Sequence, residues 1–343
     1  MKYLFNTYGD LVDNGINVED ARFILPYSFH SNIIMGLNAR ELEKMVVSFL
    51  YGPLSKISEL KEFGNQLLSI IKTHVPYLEN SIESHNISLN NPFEYMESIS
   101  KRPEIKIADK PTLISHTQNP DDVILKSSIM YHYQCSETEA NELLLNSEKK
   151  DPNYKAKCMD IILHKEEKRE LEQVNFTFQI PISLSILTHL TRHRMHSLLI
   201  PEFLPLWNFE NIVVPATIRA KNNLEKVFLD AHKENIKVFE EFKNMNVADE
   251  DLIYFYLGCQ MLNVVTSMNG RTLQWILHLR CCNKAQWQIR EICKEIAKQV
   301  SIVSPLLGKG LGPTCKTDLV CYEGRECCGL INVLLEKKNK EKN

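Results

Sequence analysis

Apolar positions recur every three to four residues through five long stretches: NARELEKMVVSFLYG (38–52), SELKEFGNQLLSIIKTHV (58–75), SETEANELLLNSEKK (136–150), NNLEKVFLDAHKENIKVFEEFKNM (222–245) and NKAQWQIREICKEIAKQVSIV (283–303). That period, carried by strong helix formers, predicts five amphipathic helices. Two stretches read differently. In LEQVNFTFQIPIS (171–183) and RFILPYSFHSNI (22–33) apolar and polar residues alternate, with aromatic and β-branched types prominent, which predicts strands. Helix dominates with some sheet, so the expected class is α+β, helix-rich with an antiparallel sheet.

Polar, proline-bearing text from 84 to 122 separates an N-terminal segment from the rest and reads as a connector. A weak echo crosses it. Residues Gly15–Met45 align without a gap on Asn246–Ile276; both place Asn, a small residue and Arg at the start of an apolar helix, as Asn38/Arg40 and Asn269/Arg271. The expected organisation is a partial repeat over 1–83, a connector over 84–122, a main domain over 123–300 and a Cys-rich extension with a charged tail over 301–343. The echo makes the chain an internal pseudo-dimer in this reading.

Composition narrows the function. With 343 residues, 44% of them hydrophobic, the chain can bury a sizeable core. Forty Lys and Arg against 43 Asp and Glu give a net charge of −3, so no global field draws the protein to nucleic acid or to a membrane surface. An anion site has to be local. The N-terminal residues resemble no secretion signal and no run of 18 apolar residues occurs, so the expected location is cytoplasmic. No G-x-G-x-x-G or P-loop pattern is present, which leaves neither a Rossmann nor a Walker site.

One local cluster stands out. Arg192, His193 and Arg194 follow the predicted strand and a short helix, and are followed by Ser197 and the apolar LLIPEFLPLW. Cations at a helix C-terminus are favourable for dipole reasons alone. Three consecutive ones point in different directions around the helix, however, and arginine forks suit phosphate or carboxylate. The reading is an anionic nucleotide or dinucleotide with its ring against the apolar wall. Arg280 lies eleven residues past Asn269, about three turns along one helix face.

Together these residues resemble the flavin-dependent thymidylate synthases: Phe176-Thr-Phe178, sixteen residues ending in RHR, Ser197, then NGRTLQWILHLR and AQWQIR, over about Leu171 to Arg290. The resemblance implies an α+β fold, a homo-oligomer, bound FAD, and the conversion of dUMP to dTMP with methylenetetrahydrofolate and NADPH. It also implies roles. Arg192, His193, Arg194, Asn269 and Arg271 match flavin-binding residues, Arg192 also touching the nucleotide. Arg280 matches the arginine that favours electron-rich uracil, so Arg280 and Arg192 are the catalytic candidates. Arg22, His189, Ser197 and Arg280 are the substrate-binding candidates.

The chain also departs from the family pattern. Leu199, Ile200, Glu202, Leu204 and Pro205 stand where the family has the Asn, Glu, Ser, Arg and Tyr that hold the dUMP phosphate. Gln173 replaces a histidine and His189 a glutamine. The family's other nucleotide-binding arginine is Ile253 in the C-terminal half, whereas the echo retains it as Arg22. Two further readings therefore stay open: a flavin-dependent enzyme acting on another nucleotide or pyrimidine, and a non-catalytic family member with a metal-stapled tail.

Ten cysteines without a secretion signal read as thiols or metal ligands rather than a disulfide framework. GPTCKTDLVCYEGRECCG spaces Cys315, Cys321 and Cys327/Cys328 by five or six residues between Gly and Pro turns, with Cys282 upstream. Cys282, Cys315, Cys321 and Cys328 are the candidate ligands for Zn or an iron–sulfur cluster. The alternative is a set of free thiols.

Overall fold

The computed structural model describes residues 1–29, 31–85, 96, 99–100, 103–201 and 209–342. In chain order its main helices are α1 (Lys2–Asp13), α2 (Ala39–Leu50), α3 (Ser58–His74), α4 (Pro120–Tyr133), α5 (Glu137–Lys150), α6 (Tyr154–His164), α7 (Leu184–Leu190), α8 (Asn222–Asn244), α9 (Gly270–Arg280), α10 (Trp287–Val303) and α11 (Leu330–Lys342). Its strands are β1 (Thr112–His116), β2 (Asn175–Ser183), β3 (Ser197–Leu199) and β4 (Met261–Asn269). All five expected helices form, and the class is α+β. Among the described residues no helix is long and apolar enough to cross a membrane.

The chain divides into two compact units. The first comprises 1–106, 202–210 and 214–257; the second comprises 107–201, 211–213 and 258–343. This differs from the boundaries read from the sequence. α8 belongs with the N-terminal segment, and the stretch read as connector contains β1, a strand too short and too polar to betray itself by alternation.

In the second unit the four strands form an antiparallel sheet of order β1-β2-β4-β3. β2 and β4 pair over nine positions, from Asn175 opposite Asn269 to Ser183 opposite Met261. Their alternation fixes the register: Phe176, Phe178, Ile180 and Ile182 are fully buried, with Leu262, Val264, Thr266 and Met268 buried on the partner strand. α10 supplies Ile289, Ile292, Cys293, Ile296 and Val300 to the core. α9 starts directly at the end of β4, against the turn of 169–173. A Cβ on Gly270 would lie 2.7 Å from the Leu171 carbonyl oxygen, so only glycine permits that approach.

In the first unit α2, α3 and the turns after it enclose a small core of Val46, Ile71, Leu78 and Ile82. The two echoed stretches fold alike locally. Arg22–Ile24 and Leu252–Phe255 are both 3-10 turns. Asn38 caps α2 through the Glu41 N–H, and Asn269 caps α9 through the Thr272 N–H. Pro26 and Leu257, themselves aligned, pair with each other across a single antiparallel bridge.

The strand expected over 22–33 does not form. After its 3-10 turn the stretch makes one isolated bridge at Pro26 and, among the described residues, no ladder, and Ile33 and Ile34 are exposed. β4 is a strand because β2 and β3 flank it; the echoed stretch has the same apolar pattern but no such neighbours, and propensity alone does not make a strand.

Candidate functional site

β2 runs into α7, and α7 ends at Leu190, so Arg192, His193 and Arg194 occupy a tight turn just past the helix rather than its last turn. β3 then begins at Ser197 and pairs Ser197 with Ser267 of β4. The turn is thus held between a buried helix and the sheet. From the other side α9 delivers Arg280, whose Nε donates to His193 Nε2 at 2.9 Å and whose Nη2 donates to the His189 carbonyl at 3.3 Å. His189 on α7, His193 in the turn and Arg280 on α9 are therefore joined.

The electrostatics define the proton state. His193 is pushed down to about 4, first by burial and then by the neighbouring charge of Arg280 and by His196. It is neutral at pH 7 and accepts the Arg280 hydrogen bond at Nε2, which leaves its proton on Nδ1. Arg280 is lowered by burial but remains a cation. Arg192 and Arg194 are exposed and have no hydrogen-bond or ion-pair partner among the described residues. Two uncommitted guanidinium groups and a half-buried third make a local cationic site on a chain of net negative charge.

Two further residues of the site, His196 and Thr266, carry no motif in the sequence. His196 Nδ1 meets the Thr266 hydroxyl at 2.6 Å, and that hydroxyl donates to the Ser197 carbonyl at 2.9 Å, tying the end of the turn to β4. Burial holds His196 below its ordinary pKa. The only signal was a second histidine three residues after His193; Thr266 was hidden within the alternation of β4.

The other candidates lie apart from this group. Arg271 is nine residues before Arg280 on α9, which places it about 13 Å along the axis and on the opposite face. There its Nη1 donates to Glu172 at 2.6 Å. Asn269 Oδ1 is committed to the cap of α9, 2.8 Å from the Thr272 N–H, so its Nδ2 is what it can offer a ligand. Gln173 is exposed at the end of the 169–173 turn. Leu199 is 65% exposed on β3 and Ile200 follows it, an apolar surface beside the arginine turn. Glu202, Leu204 and Pro205 fall outside the described residues. Arg22 lies in the first unit, 4.0 Å from Glu19. Cys282, Cys315, Cys321 and Cys328 line a common cavity beyond the end of α9. Among the described residues no three His, Cys, Asp or Glu side chains stand at coordinating distance from one point.

Such an arrangement can bind an anion through Arg192 and Arg194 and present a fixed cation, Arg280, to an electron-rich ring. The donor set fits a dinucleotide such as FAD, because unpaired guanidinium forks match its diphosphate.

A family model described as thymidylate synthase complementing protein matches residues 1–77 and 112–306. The chain is 28% identical over 240 residues to the flavin-dependent thymidylate synthase of Clostridium tetani, covering 64% of this chain and 93% of that protein. It is 29% identical over 215 residues to that of Pyrococcus abyssi, covering 60% and 85%. Among solved structures, a UMP/dUMP methylase of Streptomyces cacaoi bound with 5-Br dUMP aligns over 61% of this chain and 96% of its own, with TM-score 0.48 and 12% identity. The Helicobacter pylori flavin-dependent thymidylate synthase complexed with FAD and dUMP aligns over 59% and 99%, with TM-score 0.43 and 20% identity.

Proposed function

The chain belongs to the thymidylate synthase complementing protein family, and from that premise we propose that it is an FAD-dependent enzyme that reductively methylates dUMP to dTMP, drawing on methylenetetrahydrofolate and NADPH in a cytoplasmic homo-oligomer. The observation that carries the reading is the Arg280 guanidinium held on neutral His193, with the exposed Arg192 and Arg194 in the same turn as that histidine.

FAD, when bound and reduced by NADPH, would supply the hydride that methylation at this oxidation level requires. The protein's own groups do the rest. Arg192 and Arg194 neutralise phosphate and fix the register of the dinucleotide. Asn269 Nδ2 and Arg271 serve the same cofactor, Arg271 exchanging or sharing its bond to Glu172. Arg280 faces the pyrimidine; its positive charge stabilises negative charge building on a uracil carbonyl oxygen as C5 turns nucleophilic. His193, neutral with its proton on Nδ1, holds the guanidinium in place without competing for charge. Ser197 and the His189 side chain contact substrate, and Arg22 takes the nucleotide-binding role of the family segment that it matches.

A second reading has support of its own. The exposed Leu199, with Ile200, stands where the family carries polar phosphate-holding residues, and it favours a nucleotide or pyrimidine lacking the dUMP 5′-phosphate. Titration of the purified chain with FAD, followed by absorbance, tests the shared step. The expected result is stoichiometric binding with shifted flavin bands, weakened at least tenfold by Arg192→Ala together with Arg194→Ala. Absence of flavin binding by the unaltered protein would remove both readings.

A further inference from the structure

Five of the ten cysteines crowd into one small region of the second unit that the proposed chemistry does not use. α9 ends at Arg280, and Cys282 follows two residues on. The chain returns to this spot from 314 to 330, bringing Cys315, Cys321, Cys327 and Cys328 to the wall of one cavity of about 60 Å³, with Glu323. That volume is about two waters' worth, room for a single ion.

The thiols are linked in a chain of mutual electrostatic contact: Cys282 with Cys328, Cys328 with Cys315, and Cys315 with Cys321. Cys327 instead faces Cys321. Main-chain donors are aimed at the sulfurs in a repeated pattern. The Lys284 N–H donates to Cys282 Sγ at 3.5 Å and the Gly329 N–H to Cys327 Sγ at 3.4 Å. Main-chain hydrogen bonds from Glu323 and Leu330 reach Cys321 and Cys328. Each of these four donors comes from the residue two positions after its cysteine. At Gly329 the turn needs φ of +80°, which glycine adopts without strain. Asn283 Nδ2 adds a further donor to Cys328 Sγ at 3.5 Å.

A neutral thiol is a weak acceptor and gains little from such bonds. A thiolate gains much more, since each N–H stabilises its charge. The segment also needs a fastening. Between Gly310 and Leu330 it forms only one short helix and one 3-10 turn. Cys315 is buried there, but Val320 and Tyr322 are exposed, so the loop has little apolar core of its own.

We propose that this cavity binds one soft divalent transition-metal cation, Zn(II) in kind, as a tetrahedral thiolate centre formed by Cys282, Cys315, Cys321 and Cys328, and that the ion fastens the C-terminal extension to the end of α9. Binding converts four S–H groups to four metal–sulfur bonds and releases four protons to solvent, with no change of oxidation state. Because no three such side chains yet converge on one point, binding draws the sulfurs inward to the roughly 2.3 Å of a Zn–S bond. Lys284 and Lys316, whose charges act on Cys328 and Cys315, offset part of the negative charge of the centre. Lys284 is shared with Glu326 at 3.1 Å, and Glu323, which accepts from Cys282 Sγ at 3.4 Å, loses that bond when the thiol gives up its proton on binding the metal. Cys327 stays outside the coordination sphere and keeps its Gly329 bond.

The test is titration of the full chain with Co(II), after reduction and chelator treatment, followed by displacement with Zn(II). The expected result is one equivalent bound, with intense thiolate-to-cobalt charge transfer and the strong visible bands of tetrahedral cobalt, both bleached by Zn(II). Cys282→Ser and Cys321→Ser should each lose this signature, while Cys135→Ser keeps it. Limited trypsinolysis at Lys316 and Arg325 should slow at least tenfold with metal. Weak octahedral cobalt bands, no stoichiometric binding, retention of the signature in both serine variants, or iron with inorganic sulfide in the isolated protein would each overturn the proposal. FAD binding measured on the same samples reports separately on the proposed function.

Discussion

Replacing Arg280 by Met removes a charge from beside His193 while keeping much of the aliphatic volume. In the native protein His193 lies at about 4 rather than near 6.5. The full displacement would be worth about 3 kcal/mol if it were converted at face value. His193 is half-exposed, and solvent screening reduces the usable part to about 1–2 kcal/mol. Burial is the leading cause and the Arg280 charge the next, so the substitution recovers part of the displacement rather than all of it. The sign follows from linkage. Between about 4 and 6.5 the unfolded chain binds a proton at His193 that the native chain does not, so its contribution to stability falls as pH drops through that window. Arg280→Met should raise the His193 pKa toward its ordinary value and flatten this part of the pH profile. Carbon-detected histidine NMR titration measures the pKa directly, and urea unfolding at pH 7 and pH 5 measures the difference in slope. An unchanged His193 titration in a folded Arg280→Met protein would refute the electrostatic account of the pair.

Three further outcomes follow from local geometry. Gly270→Ala forces a methyl to within 2.7 Å of the Leu171 carbonyl oxygen and should cost about 1–3 kcal/mol in thermal or urea unfolding. Asp121→Ala removes a carboxylate that accepts from Ser304 Oγ at 2.6 Å, Leu306 N at 2.9 Å and Leu307 N at 3.0 Å; about 2–3 kcal/mol of stability should be lost by the same assay. Arg271→Ala breaks an exposed pair with Glu172. Stability should therefore change by less than about 1 kcal/mol, while FAD affinity measured by fluorescence quenching should fall at least fivefold.

Much of this architecture is legible in the sequence because long periodic stretches report their own burial. α2, α3, α5, α8 and α10 fall within the stretches read as helices, and Phe176-Thr-Phe178 alternates as a half-buried strand must. What was hidden depends on neighbours. The stretch 31–37 carries the apolar pattern of β4 without the partners that make a ladder. β3 occupies three residues of an apolar run with no period of its own. The arginine cluster was visible as composition, but its state was not. That His193 is neutral, and Arg280 its hydrogen-bond donor, follows from contact across 87 residues of chain. Arg271 and Arg280 share a helix, and simple counting already sets them on opposite faces. The cysteine spacing was visible too; the amide donors two residues after each sulfur required the folded turns.

The most direct measurement for the proposed reaction is release of tritium from 5-labelled dUMP by the FAD-loaded protein supplied with methylenetetrahydrofolate and NADPH. Release coupled to dTMP formation is expected, reduced at least a hundredfold in Arg280→Met with FAD still bound. A fully flavin-loaded protein that leaves the label on dUMP would contradict it and direct the search to nucleotides or pyrimidines that suit the apolar surface at Leu199 and Ile200.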